Sequence, residues 1–288
     1  MKRIYLMAVV TAFILFSYTS CSVNNSVDLN FQYKDYSDTI HFNIDSLEVG
    51  SFAINISVPI ATTENPDFND KFNSIYKELF NLKETTEADS IIPAFVEKEH
   101  ELYNEFTQDI RTDFNKDDYN YYPVSLYSHE YILNSDISLE EDADIINLVL
   151  NLYIYEGGAH GMSQTICYNI SAHDGHRVNL QEIYDTNQVS FILPAIKDAL
   201  VKQTGVSSYD QIHTAGYFDD TELYIPENYI IRRDSIDFYY NEYEIAPYYI
   251  GTTKVTIPRY VTYTRKSCHF RRQKGSDNEA QDKNRTCV

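Results

Sequence analysis

One alternation constrains the fold of this chain more than any other feature. Ile146, Leu148, Leu150, Leu152 and Ile154 make one wholly aliphatic face, and Asn147, Val149, Asn151, Tyr153 and Tyr155 make the other. A period of two over ten residues is the signature of a pleated strand, because successive side chains leave a strand on opposite sides. The strand runs into Glu156-Gly157-Gly158-Ala159-His160-Gly161, three glycines and a histidine within five positions. Alternation resumes at Met162, Ile166, Tyr168 and Ile170, and Asp174-Gly175 marks a second tight turn. The pattern predicts a three-stranded antiparallel meander over about 145–155, 162–171 and 176–180.

The rest of the chain reads as mixed structure. Phe52, Ile54, Ile56 and Val58 alternate up to Pro59, a half-buried strand. Pro66 opens a helix whose Phe68, Phe72, Ile75, Tyr76, Leu79 and Phe80 fall on one face. A second helix is predicted from Pro93 to about Ile110, burying Phe95, Leu102, Phe106 and Ile110, and a third follows Val189, Ile192, Leu193, Ile196 and Leu200, with Pro194 beginning or kinking it. Further strands are expected at Tyr121–Leu133, where Pro123 suits an edge or a strand start, near 217–225, over 229–240 and at 254–257. With 26 tyrosines and no tryptophan, the composition favours strands over a helical bundle. The expected fold is α+β, antiparallel sheet with about three packed helices. Two sequential modules, 48–135 and 136–258, form one compact unit joined by an acidic loop near Ser135–Glu141.

The two ends differ in style. Lys2 and Arg3 precede a 13-residue apolar run, Ile4 to Phe16, and small polar residues lead to Cys21. That run is shorter than the ~20 residues a spanning helix needs, so residues 1–20 read as an export signal. Thr19-Ser20-Cys21 resembles the bacterial lipoprotein box, from which Tyr18 departs by standing where an aliphatic residue is usual. The resemblance implies lipid attachment at Cys21 and a membrane anchor of acyl chains. Residues 21–47 then form a tether and lead-in. Residues 259–288 carry a net charge of +5 and no periodicity, so a disordered basic tail is expected.

Charge and motifs narrow the function. Apart from that tail the chain carries −25, a surface that repels nucleic acid and either attracts basic partners or serves solubility alone. No G-x-S-x-G, H-E-x-x-H, Walker loop or dinucleotide fingerprint occurs, so no catalytic residue, cofactor or metal is assigned. Four cysteines show no metal-type pairing, and Cys167 reads as a small buried hydrophobe. His160 lies at one end of a predicted strand and His173 and His176 at the other, roughly 30 Å away at ~3.4 Å per residue, so one metal cannot use all three. His173, Asp174 and His176 are either a weak surface site or ordinary turn residues. The glycine loop is either a structural corner or a recognition surface.

The run "LYIYEGGAHGMSQTICYNISAHDGHRVNLQEIY", followed by a helix and "DFYYNEYEIAPYYIGTTKVTIP", resembles a family of domains of unknown function. That family occurs in the extracytoplasmic region of the anti-sigma factor RsiV and beside the catalytic domain of the peptidoglycan deacetylase PdaC. Its marks here are Gly157–Gly161, Asp174-Gly175 with Leu180, and Tyr243–Tyr248 with Gly251, Ile257 and Pro258. The likeness covers about 50–258 and implies an α+β domain that, in the RsiV case, binds lysozyme. Only Met1-Lys2-Arg3 precedes the apolar run, and no deacetylase domain follows, so neither an anti-sigma factor nor a deacetylase is expected. The resulting expectation is a lipid-anchored envelope binding protein, not an enzyme. Its partner surface is Glu156, Gly157, Gly158, Ala159, His160 and Gly161, and its partner a lysozyme-type hydrolase or peptidoglycan. The alternatives are a wall-glycan hydrolase using His160 and a purely structural lipoprotein.

Overall fold

The computed structural model describes residues 29–113, 124–140, 144–218 and 222–259. Strands β1 (Phe31–Ile44) and β2 (Leu47–Ala61) form a hairpin closed by Asp45 and Ser46, whose φ values of 49° and 71° give the two-residue turn that matches strand twist. Helix α1 (Pro66–Leu79) follows, with proline in its first turn and the Asn65 side chain accepting the Phe68 N–H at 3.2 Å. Helix α2 (Ile91–Asp113) leads to β3 (His129–Glu140), β4 (Ile145–Glu156) and β5 (Met162–Ser171). The five strands lie in the order β1-β2-β3-β4-β5.

The expected α+β class holds, and the sheet is not wholly antiparallel: β2 and β3 run parallel, Phe52 opposite His129 through Ser57 opposite Asn134. Parallel neighbours need a crossover, and α1 and α2 supply it while covering one face of the sheet. The predicted face of α1 is buried, with Phe68, Phe72, Ile75 and Tyr76 fully enclosed against Ile54, Ile56 and Val58 of β2. Helix α2 buries Ile91, Ile92, Phe95, Val96 and Tyr103, but Leu102, expected in its core face, is half exposed. The helix is rotated so that Tyr103 enters the core and its hydroxyl donates to the Tyr127 carbonyl at 2.9 Å.

A second layer carries its own core. Two single-turn helices, Leu180–Ile183 and Thr186–Val189, precede α3 (Ile192–Thr204), which starts with Pro194 in its first turn and ends at Gly205 in the left-handed conformation. Strands β6 (Tyr229–Ile231), β7 (Ser235–Tyr240) and β8 (Thr253–Pro258) form an antiparallel sheet whose Phe238, Tyr240, Val255 and Ile257 pack on Ile192, Ile196 and Leu200.

Several expected boundaries move. Phe31–Ile44, assigned to the tether and lead-in, is β1. The acidic join at Ser135–Glu141 is strand up to Glu140, so a border at 135/136 cuts through β3, and the first sheet takes strands from both expected modules. Residues 176–180 form no strand; a single bridge joins Ile170 to Arg177. Among the described residues 217–225 contain no strand either, and 229–240 splits into β6 and β7. The leader with Cys21, Pro123, Cys268, Cys287 and residues 260–288 lie outside the described residues.

The joint between the layers is made by side chains. The outward N–H and C=O groups of β5, which a neighbouring strand would ordinarily pair, meet asparagines. Asn228 accepts from Cys167 N–H at 2.8 Å and donates to the Thr165 carbonyl at 2.6 Å. Asn241 accepts from Thr165 N–H at 2.8 Å and donates to the same carbonyl at 3.1 Å. Buried Asn169 returns the contact, donating to the Tyr229 carbonyl at 2.9 Å and accepting the Ile231 N–H at 2.8 Å.

Candidate functional site

The glycine loop connects β4 to β5, and each end is shaped by close packing. Gly157 has φ 85°, and a Cβ there would stand 2.5 Å from the Leu126 carbonyl oxygen, so the loop's first residue lies flat against the turn preceding β3. Gly158, at φ 93°, faces open space, and its carbonyl accepts the Tyr155 hydroxyl at 2.9 Å. Gly161 is buried beneath the Tyr153 ring, whose atoms would lie 2.5 Å from an added Cβ. Glycine at 157 therefore answers both a packing and a conformational need, and at 158 a conformational one.

His160 does not project alone. Its ring stacks on Tyr248 with centroids 3.9 Å apart and planes 18° from parallel, and its Nδ1 lies 3.0 Å from the Gly161 carbonyl oxygen, a contact the ring makes as donor. Tyr243 stacks in turn on Tyr248, at 6.3 Å and 28°. Both tyrosines come from the turn between β7 and β8. There Tyr243 takes a left-handed φ of 67° and its N–H donates to the Ala246 carbonyl at 3.0 Å, while Ile245 is buried in the second core and Ala246 is buried as well. Anchored by these apolar residues, the turn holds Tyr243, at 52% exposure, and Tyr248 next to exposed His160. Two sequence motifs separated by some eighty residues thus meet as one aromatic surface.

The third motif lies at the far end of β5. Asp174-Gly175 docks on α1: a Cβ on Gly175 would be 2.8 Å from the Phe68 carbonyl oxygen, and Lys71 Nζ reaches Asp174 at 3.1 Å. His176 is clasped between two carboxylates, Nδ1 to Asp174 at 2.6 Å and Nε2 to Glu182 at 3.0 Å. The Asp174 hydrogen bond first, and that of Glu182 second, raise its pKa above the ordinary histidine value. His173 pairs separately with Asp144 at 3.2 Å. Among the described residues no group of three His, Cys, Asp or Glu side chains is placed to hold a metal ion.

The geometry bears on chemistry. Among the described residues, no carboxylate, thiol or hydroxyl hydrogen-bonds to His160; its contacts are a carbonyl oxygen and a tyrosine ring. Cys167 is buried, and desolvation pushes its thiol up to about 12, so the thiolate nucleophile is suppressed.

A cleft of about 370 Å³ opens next to the loop, between α2 and the ends of β3 and β4. Glu156, the last residue of β4, pairs across the sheet with His129 and lines the cleft with it. The His129 ring sits among Phe52, Tyr103 and Phe106, at centroid distances of 6.1, 5.1 and 4.6 Å, and its buried Nε2 has no hydrogen-bond partner. Desolvation holds that imidazole below the usual histidine range, hence neutral. From α2, Glu99 faces the same space. Burial raises its pKa, the neighbouring Lys98 lowers it, and the charge of Glu156 raises it again.

Residues 182–260 match the model of a family described as a protein of unknown function, DUF3298. The DUF3298 stretch includes the Tyr243–Tyr248 turn and β6 to β8, while the glycine loop precedes it. The fold is similar to that of a DUF3298-family crystal structure from Bacteroides fragilis, at 20% identity and a TM-score of 0.66, covering 82% of this chain and 92% of that one. It is also similar to a DUF3298-family structure from Pseudomonas aeruginosa, at 15% identity and a TM-score of 0.50, covering 81% and 91%. No curated protein matches the chain. At these identities the likeness is one of fold.

The six expected partner-surface residues are contiguous in the loop, with Glu156 turned toward the cleft and His160 toward the tyrosines. Tyr243 and Tyr248 belong to a sequence motif that carries no local sign of standing beside His160. The cleft was missed altogether, since its walls come from β2, the end of α1, α2, β3 and β4, and no local pattern announces such a convergence.

Proposed function

We propose that this chain is an exported envelope protein of bacteria, anchored by lipid at Cys21, whose glycine-loop face binds a basic cell-wall hydrolase of the lysozyme type. The observation that carries the reading is the exposed stack of His160, Tyr248 and Tyr243 on a rigid strand end, an aromatic surface of the kind that marks interfaces. Partner recognition draws further support from the charge of −25 outside the tail, which steers a cationic partner inward. The likeness of the loop and of the Tyr243–Tyr248 turn to the lysozyme-binding RsiV region points the same way. The leader supports export and anchoring: Lys2, Arg3, the apolar run and Cys21 supply the parts of a lipoprotein signal. Among the described residues no helix is long and apolar enough to cross a membrane.

Calorimetric titration of the full chain, solubilised in non-ionic detergent, with hen egg-white lysozyme tests the reading. Binding at low salt that weakens as salt rises, and is lost in Tyr248→Ala, is expected; no binding at low salt, or binding indifferent to Tyr248→Ala and His160→Ala, refutes it. The exposure of these aromatic residues also favours a second reading, peptidoglycan strands packing against the same surface, which predicts binding to isolated wall that salt leaves unchanged. A hydrolase centred on His160 finds less support, because its ring is engaged by Tyr248 and a carbonyl oxygen.

A further inference from the structure

The cleft beside the loop has a chemistry of its own. Its walls are Phe52, Phe95, Tyr131 and Leu152, buried side chains that converge from two strands of the sheet's middle, from β2 and from α2. At its mouth Leu102 stands half exposed, an aliphatic side chain left uncovered on a helix whose other large apolar residues are largely enclosed. Among the described residues, no hydrogen bond or ion pair reaches the carboxylate of Glu99 or Glu156. The cation lining the cleft, Lys98, donates instead to the Phe80 carbonyl at 3.1 Å. An apolar wall carrying two carboxylates without hydrogen-bonding partners is complementary to a group that is aliphatic along its length and positively charged at its tip.

We propose that this cleft receives one long basic side chain, lysine or arginine, of a partner protein seated on the glycine-loop face. The aliphatic stem lies along Phe52, Tyr131 and Leu152, and the cationic head sits between Glu99 and Glu156. The volume of about 370 Å³ accommodates such a side chain and does not admit a folded element. Glu156 lines the cleft and is the residue from which the glycine loop departs, so the opening adjoins the edge of the loop face. The aromatic rings add attraction for the cation through their electron-rich faces. This inference rests on the reading of that face as a partner surface.

The test uses the full chain in detergent and the probe Nα-acetyl-lysine-N-methylamide, followed by ligand-observed saturation-transfer NMR. The norleucine analogue, equal in stem and lacking the charge, is the comparator. Saturable binding of the lysine probe, at least fivefold weaker in the Glu99→Gln/Glu156→Gln double variant and weaker as salt rises, is expected. Leu102→Trp, which fills the mouth and leaves both carboxylates in place, lowers the affinity as well. No saturation at tens of millimolar, equal binding of the norleucine analogue, or an unchanged double variant overturns the proposal. Lysozyme binding without lysine-probe binding rejects the cleft alone. Lysine-probe binding without lysozyme binding supports the cleft's selectivity and rejects the lysozyme reading of the face.

Discussion

Gly157 and Gly158 are adjacent, share nearly the same backbone conformation, at φ 85° and 93°, and differ in what surrounds them. Alanine at either position pays the left-handed penalty of ~1–2 kcal/mol, offset by ~0.4–1 kcal/mol of lost unfolded-state freedom. Gly158→Ala, open to solvent, is therefore expected to cost about 1.6 kcal/mol or less. At Gly157 the new methyl would stand 2.5 Å from the Leu126 carbonyl oxygen, which is backbone and cannot swing aside, so overpacking of roughly 1–3 kcal/mol adds to the first cost. The expected total is about 1–4.6 kcal/mol, a gap of about 2 kcal/mol between two neighbours of identical chemistry. Urea denaturation at 25 °C measures it, with both variants compared at equal m-values. Two variants that agree within 0.5 kcal/mol would show that the loop does not lean on the Leu126 turn and is not shaped in advance for a partner.

Asn169→Ala leaves the Tyr229 carbonyl and the Ile231 N–H without partners in a buried joint, at about 1–3 kcal/mol each, whereas Ser37→Ala, which removes an exposed bond to Asn55, should stay within 0.5 kcal/mol; the same urea series compares them. His176 titrates above the unfolded value near 6.5, so its contribution to stability is complete below that pH and disappears as pH rises through the raised folded pKa; an NMR midpoint at or below 6.5, or no change of slope in His176→Ala, contradicts the clasp. Asp174 and Glu182, both held below their usual range, act in the opposite sense, present at neutral pH and lost in acid. Cys167 should resist thiol reagents in the folded protein and react once urea unfolds it, since burial pushes the thiol up to about 12. Rapid labelling of the native chain at that position would refute this.

Much of the fold was legible because it obeys local rules. The alternation of β2, β4 and β5 and the apolar stripe of α1 name their own elements, since one-sided burial writes a period into the sequence. What failed did so where tertiary contacts override local pattern. Strand β1 is an edge strand with mostly exposed side chains, so Lys34, Asp35, Ser37 and Asp38 read as a tether although their backbone is paired along the whole of β2. The acidic run Ser135–Glu140 is likewise strand because β4 pairs with it throughout, from Ser135 opposite Leu150 to Glu140 opposite Ile145. Of the candidate site, the loop was visible in its glycines; its aromatic neighbours and the cleft depend on contacts between residues far apart in the chain.

The asparagine seam explains why the two motifs meet where they do. Asn241, Glu242 and Tyr243 are consecutive, and the first two bind the backbone of β5: Asn241 at Thr165, and Glu242 through the Ser163 N–H at 3.3 Å. Those bonds fix the register of the second layer against the strand that follows the glycine loop. The turn carrying Tyr243 and Tyr248 is thereby set over His160 by hydrogen bonds that touch none of the three rings. Asn241→Ala should then act twice, leaving the Thr165 N–H unsatisfied at about 1–3 kcal/mol and loosening the stack. If the stack is the partner surface, binding weakens at temperatures where the variant is still fully folded, and Asn228→Ala, which also frees the edge but lies farther from the turn, weakens it less. Equal binding by both variants and the native chain, measured by calorimetry under conditions where circular dichroism shows intact structure, would sever the register of the seam from the function of the loop.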